Sequence, residues 1–178
     1  MSAYNPYFQE EHIPRAYFIT FRCYGTWLHG DERGSTDREH NEYGTPFLAP
    51  NERWRRYNEA ALKHPPVRLD SAMRAAADAA IRETCELRQW VLQAINVRTN
   101  HLHTVVSAPC KPEPALSAFK ANATRKMRET GCWPHSHSPW ADKGSRRYLW
   151  TPRSVERAID YTHNGQGDTI PDFNADEE

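Results

Sequence analysis

The chain has 178 residues, of which 38% are hydrophobic and 26% charged, and its formal net charge is zero. This length suffices for one domain whose core needs no disulfides, and four cysteines without a CxxC pair fit reduced thiols better than a zinc knuckle. No apolar stretch is long enough to span a bilayer, and the N-terminus lacks the basic and apolar regions of a signal peptide. We therefore expect a cytoplasmic protein with no membrane partner.

The first half of the sequence predicts one strand, a long polar stretch and one strong helix. "AYFITFRCY" (Ala16–Tyr24) is rich in β-branched and aromatic residues, which is typical of a strand. Residues 25–69 are polar and resemble an insertion, with a short helix expected at "NERWRRYNEAALKH". In "LDSAMRAAADAAIRETCELRQW" apolar residues recur at helical spacing after Asp70 or Ser71, either of which can cap a helix.

The second half predicts a hairpin, a helix, a strand and a last helix. The segments are, in order, "VLQAINV" and "HLHTVVSA" joined by "RTN", then "PEPALSAFKANATRKMRET", "RRYLW" and "TPRSVERAIDYTHN". The resulting β-α-β-β-α-β order predicts a ferredoxin-like α+β fold, in which two helices cover one face of an antiparallel sheet. An extra C-terminal helix must then pack near that sheet. We expect a single domain over 1–178, with the insertion at about 25–69 and an acidic tail at about 168–178.

Two histidines interrupt a strand that otherwise has the pattern of a buried one. His101 and His103 share a face, about 7 Å apart at Cα, because side chains alternate along a strand. Two imidazoles at this spacing can bind one divalent ion, although a buried, hydrogen-bonded pair is the alternative. A second pair, His135 and His137, lies in a stretch rich in Pro and Ser that we interpret as a loop.

A histidine pair leaves coordination positions for a third protein ligand, for water and for a substrate oxygen. Mg²⁺ and Mn²⁺ commonly take a phosphate oxygen in such a position. Imidazole pairs are unusual ligands for Mg²⁺, so Mn²⁺ and Zn²⁺ stay open as alternatives.

"NHLHTVVSA" on the second strand of a hairpin, a helix with "FKANATRKM", and then "RRYLW" and a helix with "AIDYTHN" together resemble the single-tyrosine HUH transposases. This family comprises small insertion-sequence transposases and relatives associated with repetitive extragenic palindromes. The resemblance spans about 16–167. It implies a metal-dependent single-stranded DNA endonuclease and strand-transferase that recognises a DNA hairpin and cleaves through a 5′-phosphotyrosine intermediate. Family members occur as monomers and as dimers, so a homodimer is possible.

The resemblance also implies roles for individual residues. His101 and His103 would hold the metal ion. Tyr161 would be the nucleophile, since it is the only tyrosine predicted on a helix after the histidine strand. Relatives carry a polar ligand four residues after the tyrosine, where this chain has Gly165. We therefore expect Asn164 as the third ligand, with Gln166 as the alternate.

Candidate DNA contacts come from the basic region at 115–157, which has nine basic and three acidic residues. They are Lys120, Arg125, Arg146 and Arg147. In "RWRRY" (Arg53–Tyr57), Trp54 and Arg56 mix a stacking ring with a cation, which is the composition of a single-strand platform. An ordinary solvated surface is the alternative for both sets.

Two other functions remain open at this point. A domesticated relative could bind hairpin or single-stranded DNA without turnover, as the Gly165 departure and the neutral net charge suggest. More distantly, a small metallo-hydrolase could act on other phosphates and would release product without a protein-linked species.

Overall fold

The computed structural model describes residues 13–28, 49–165 and 170–175. Within these ranges the elements, in chain order, are β1 (Ala16–Cys23), α1 (Glu52–Ala60), α2 (Ser71–Leu87), β2 (Val91–Val97), β3 (His101–Ser107), α3 (Pro112–Glu129), β4 (Trp140–Leu149) and α4 (Pro152–Asn164). The four strands form one sheet in the order β2-β3-β1-β4, and every neighbouring pair is antiparallel. The predicted α+β class and ferredoxin-like order are confirmed.

Local sequence signals explain where the longer helices begin. Asp70, rather than Ser71, caps α2, and its carboxylate accepts from the Met73 N–H at 2.8 Å. Thr151 caps α4 in a capping box with Ser154, and Pro152 follows at the first helical position. These caps satisfy backbone N–H groups that have no partner within the helix.

The two faces of the sheet are covered by different helices. α2 and α3 pack against each other and over one face, onto side chains such as Phe21 and Leu102. α4 packs on the opposite face, where Val155 and Ala158 meet Phe18 and Val105. Because strand side chains alternate, every second residue of β1 and β3 points towards α4. The extra C-terminal helix thus packs a second, separate cluster of side chains on one side of the sheet.

The last strand is longer than the sequence predicts. β4 begins at Trp140, whereas the pattern predicted only "RRYLW", and Trp150 lies beyond its end. The added part, "WADKGS", is mostly polar and carries Gly144, so it lacks a strand signature. Glycine is needed there, because a Cβ at Gly144 would approach the Thr20 carbonyl oxygen of β1 to 2.8 Å. Close backbone approach therefore explains both the residue and the missed boundary.

The C-terminal end of the polar stretch 25–69 is hydrogen-bonded to the rest of the domain. The Val67 N–H donates to the Tyr24 carbonyl at 2.8 Å, and the Leu69 N–H donates to the Thr99 carbonyl at 2.6 Å. The helix expected in this stretch is present as α1, which buries none of its residues. Near the C-terminus, Phe173 is buried against α4. In the part of the chain that the structure describes, no helix combines the length and apolar character needed to cross a bilayer.

Candidate active site between the sheet and the last helix

The two histidines of β3 lie together on the sheet face that α4 covers. Their ring centroids are 4.7 Å apart, and the ring planes are inclined by 71°. His103 is 6% exposed, whereas His101, nearer the hairpin turn, is half-buried. The strand period thus predicted the shared face correctly.

Oxygen partners orient both rings through Nδ1. The Nδ1 of His103 lies 2.8 Å from Oγ1 of Thr20, its direct cross-strand neighbour on β1. The Nδ1 of His101 lies 2.7 Å from Oδ1 of Asn100. An amide oxygen only accepts, so Nδ1 of His101 carries the hydrogen, and a hydroxyl can accept from His103 in the same way. Both rings then present the Nε2 lone pair, which is the arrangement of histidines that bind metal ions.

The ionisation of His103 also suits a metal ligand. Burial, followed by the nearby positive charges of His101 and Arg98, lowers the pKa of His103 to about 3. The ring is therefore neutral at physiological pH, and neutral imidazole is the form that binds a metal ion. By donor chemistry, the pair fits a divalent cation.

Tyr161 of α4 lies beside this pair. Its ring centroid is 5.7 Å from that of His103, with the planes inclined by 73°. Phe18 of β1 and Phe173 of the C-terminal segment hold the ring from other sides, with centroids 6.0 Å and 5.7 Å away. The tyrosine ring is half-buried. The structure thus brings the predicted nucleophile next to the predicted metal ligands.

The glycine that departs from the family pattern has a steric reason in this chain. A Cβ at Gly165 would lie 2.8 Å from Cε2 of Tyr161 and 2.6 Å from the tyrosine's carbonyl oxygen. The Gly165 φ angle is −71°, an angle that any residue adopts, so the constraint is space rather than backbone conformation. The tyrosine ring occupies the space that a side chain at this position would need.

The predicted third ligand lies on the outer side of α4. Asn164 is exposed, and its amide nitrogen donates to Oδ1 of Asp160 at 2.7 Å. Gln166, the alternate, lies outside the described residues. Among the described residues, no group of three His, Cys, Asp or Glu side chains is placed to hold a metal ion. The ligand role of Asn164 therefore stays a prediction.

Two candidate DNA contacts lie on the other side of the sheet. Lys120 and Arg125 of α3 line a cavity of about 690 Å³ together with Arg128. The Lys120 ammonium donates to the carbonyls of Ala141 and Lys143 at 2.5 and 2.9 Å. Arg125 pairs with Glu129 at 2.9 Å, and Arg128 donates to three carbonyls of residues 135–137. Any nucleic-acid contact by this group would be separate from the histidine site.

Arg146 and Arg147 point to opposite faces of β4. Arg146 faces α3 and lies 3.7 Å from a carboxylate oxygen of Glu113. Arg147 is on the α4 side, where it donates to the carbonyl of Pro171 at 2.7 Å. As neighbours on a strand, they cannot serve one continuous surface.

The remaining candidates, Trp54 and Arg56, lie on α1, which precedes the histidine strand in the chain and buries none of its residues. Trp54 is 38% exposed and lines a shallow pocket of about 250 Å³ with Arg53 and Tyr57. Arg56 pairs with Glu52 at 2.9 Å. The exposed ring and cations keep the composition of a single-strand platform, and the DNA contact stays a prediction.

The second histidine pair lies in a loop, as predicted. The ring of His137 stacks on His64 with centroids 3.7 Å apart and planes inclined by only 2°. The nitrogen lone pairs of an imidazole lie in the ring plane, so two stacked parallel rings do not converge on one ion. His137 and His64 therefore do not converge on one ion. Within the loop pair itself, the ring centroids of His135 and His137 lie 5.2 Å apart with planes inclined by 32°.

Three groups that shape the site carry no signal in the sequence. Thr20 and Arg22 on β1 and Trp27 just after it all lie next to the histidines, Trp27 by a ring contact with His101. Alternation places Thr20 and Arg22 on one face of their strand. The sequence does not give the register that sets them opposite His103 and His101.

No protein-family model and no curated protein matches the sequence. Among solved structures, a REP-associated tyrosine transposase bound to a REP hairpin is similar over 93% of this chain and 76% of that chain, with 14% identity and a TM-score of 0.44. A putative transposase from Deinococcus radiodurans R1 is similar over 93% of this chain and 98% of that chain, with 13% identity and a TM-score of 0.44. At this identity and TM-score the likeness assigns neither a family nor an activity to this chain.

Proposed function

We propose that the protein is a metal-dependent single-stranded DNA endonuclease and strand-transferase that acts on DNA carrying a hairpin. The observation that carries this proposal is the position of Tyr161, whose ring lies 5.7 Å from that of His103, itself 4.7 Å from His101. The two imidazoles are oriented to bind a divalent ion in their neutral form. A phenol beside them is suited to attack a phosphodiester that such an ion would hold.

In the proposed reaction, Oη of Tyr161 attacks the phosphorus of a DNA phosphodiester. The Oη–P bond forms, the P–O3′ bond breaks, the phenol proton passes to solvent, and the leaving 3′ oxygen takes a proton from solvent to become a hydroxyl. The 5′ side of the break remains linked to the tyrosine. Attack by another 3′-hydroxyl on this linkage reverses the step and joins strands, so the energy of the cleaved bond is kept and no nucleotide cofactor is needed.

His101 and His103 would hold a divalent ion, Mg²⁺ or Mn²⁺, through Nε2. When bound, such an ion stabilises negative charge that develops on the phosphate oxygens. This matters because a phenol with an ordinary pKa is only roughly one part in a thousand ionised at neutral pH. Thr20 and Asn100 hold the two imidazoles in the required orientation through Nδ1. Phe18 and Phe173 fix the position of the tyrosine ring.

The test is incubation with Mn²⁺ and a library of labelled hairpins that carry randomised single-stranded flanks, followed by denaturing gels. We expect a labelled protein–DNA adduct that Tyr161→Phe abolishes. Tyr148→Phe is the matched control, since Tyr148 lies on β4 and stacks on Trp150. Product release without an adduct would instead indicate hydrolysis, and an adduct that persists in Tyr161→Phe would exclude this tyrosine.

A second candidate function is hairpin or single-strand DNA binding without turnover. It is favoured by the outward position of Asn164, whose amide bonds to Asp160, and by the absence of a side chain at Gly165. Tight binding of the same library with no adduct, in wild type and Tyr161→Phe alike, would support this function over the enzyme.

A further inference from the structure

Arg22 lies in the candidate site through its strand register. It is the direct cross-strand partner of His101, as Thr20 is of His103. Opposed residues of an antiparallel pair project on the same face with Cβ atoms about 4.5–5.5 Å apart. The arginine therefore extends from β1 on the side of the sheet that carries both imidazoles. It is half-buried, so its charge acts where water screens it less than at an open surface.

Trp27 holds the arginine next to the histidine. The guanidinium of Arg22 lies 5.2 Å from the centre of the Trp27 indole, and its Nη1 donates to the Trp27 carbonyl at 3.3 Å. The same indole stacks on His101, with centroids 5.2 Å apart and planes inclined by 26°. One tryptophan thus contacts both a cation and a proposed metal ligand.

The backbone of Trp27 indicates that this arrangement is imposed by its surroundings. Its φ angle is 51°, in the left-handed region that residues with a side chain rarely adopt. Such a conformation is strained and persists only where neighbouring contacts compensate the strain. The two contacts of the indole, to Arg22 and to His101, are compensating contacts of this kind.

A guanidinium in this position has the chemistry of a phosphate ligand. It stays charged at all physiological pH values, and its planar donors match the oxygens of a phosphate. Arg147, which also faces α4, donates instead to the carbonyls of Ile170 and Pro171. Arg22, by contrast, has a proposed metal ligand, His101, as its direct cross-strand neighbour.

We propose that Arg22 is a phosphate-binding residue of this site, and that its guanidinium contacts a non-bridging oxygen of the DNA phosphate that lies beside His101. The proposal rests on the proposed function for the identity of the substrate. It adds a contact that draws negative charge to the metal-binding pair and stabilises the additional charge of the transition state.

The first measurement is the salt dependence of binding to fluorescent dT20, by anisotropy, in EDTA. The slope of log K against log salt is negative, and each lost phosphate contact on a single strand reduces its magnitude, here called the salt slope, by about 0.7. We expect Arg22→Gln to lower the salt slope by this amount and to weaken binding about tenfold or more. Arg22→Lys should keep the salt slope while losing part of the affinity, because it keeps the charge without the planar donors. Arg82→Gln, on the outer side of α2, is the control and should match wild type.

The second measurement locates the contact. The dinucleotide dTpdT has a single phosphate, and Mn²⁺ bound at the histidines should broaden its ³¹P resonance in wild type and in Arg82→Gln. We expect Arg22→Gln to lose most of this broadening, while electron paramagnetic resonance shows unchanged Mn²⁺ affinity. Circular dichroism melting reports folding. If Arg22→Gln does not fold, the affinity of Arg22→Lys for dT20 carries the test, and a wild-type affinity would overturn the proposal.

An unchanged salt slope in Arg22→Gln, or a lowered salt slope with wild-type ³¹P broadening, would overturn the proposal. A loss of Mn²⁺ affinity in Arg22→Gln as large as its loss of ³¹P broadening would also overturn the proposal. Arg22 would then support the histidines rather than bind the phosphate. Failure of the proposed function gives a different result. Wild type would form no Tyr161 adduct, while Arg22→Gln would still lower the salt slope and the phosphate contact would stand.

Discussion

Gly165 lies against the ring of Tyr161, so closely that a Cβ on the glycine would come within 2.8 Å of Cε2 of that ring. Gly165→Ala should therefore push the tyrosine away from His103. We expect adduct formation to fall at least tenfold, with an overpacking cost of about 1–3 kcal/mol in the free energy of unfolding. Adduct yield on denaturing gels and urea unfolding measure the two effects.

The matched control for this variant is His163→Ala, in the same last turn of α4 but exposed. It should leave both adduct formation and stability close to wild type. Wild-type adduct formation in Gly165→Ala would show that the tyrosine tolerates displacement, and the steric reason given for the glycine would be wrong.

Thr20→Val removes the oxygen partner of His103 with little change of shape. We expect a loss of about 1–3 kcal/mol in the free energy of unfolding, because a buried ring nitrogen loses its hydrogen bond. We also expect Mn²⁺ affinity to fall about 10–100-fold, as it does when an outer-shell partner of a metal ligand is removed. Thr104→Val is the control, since Thr104 is buried on the opposite face of β3. It should alter stability without altering Mn²⁺ affinity, and equal effects of both variants would contradict the prediction.

Phe173→Ala should loosen the site from the C-terminal side. Phe173 is 3% exposed and contacts both Phe18 and Tyr161, with centroids 4.9 Å and 5.7 Å away. Removing a buried phenyl ring costs about 3–5 kcal/mol, and somewhat less where a terminal segment can relax into the space. Urea unfolding measures this cost, and limited proteolysis should show faster cleavage near the C-terminus. Phe173→Leu should recover most of the stability, and a cost below about 1 kcal/mol for the alanine variant would contradict the packing role.

The stability of the protein should depend on Lys120 at alkaline pH. Burial, together with the positive charges of Arg146 and Arg22 and against the negative charge of Asp142, lowers the pKa of Lys120 from 10.5 to about 8. The unfolded chain then binds more protons between these two pH values, so stability rises with pH across that window. Wild type should gain stability relative to Lys120→Met from pH 8 to pH 10.5, as urea titrations can measure. Parallel pH curves for the two proteins would exclude the effect, since titrations elsewhere cancel in the comparison.

The sequence predicted the parts of the fold that depend on local chemistry. Helix caps such as Thr151, the histidine hairpin and the period-2 face shared by His101 and His103 all follow from neighbouring residues. The length of β4 does not follow from neighbouring residues. Gly144 allows close approach to the backbone of β1 but lowers the strand propensity of its segment.

The partners of the site were beyond sequence reasoning because they are set by long-range register. Thr20 meets His103 across 83 residues, and nothing local to β1 fixes that pairing. Phe173 lies in a segment whose composition, "DFNADEE", predicted only an acidic tail. Gly165 was interpreted as a departure from a pattern, and only the position of the tyrosine ring shows why a side chain does not fit there.

β3 is an inner strand, bonded to β2 on one side and β1 on the other. A shift of this strand by a single residue against its neighbours would turn both imidazoles into the apolar layer under α2 and α3, and would send Leu102 the other way. A one-residue insertion or deletion in the 98–100 turn that is absorbed as such a shift should therefore abolish the site completely. Sequence drift in this protein is accordingly expected to tolerate changes of residue in the 98–100 turn far better than one-residue changes in the length of that turn.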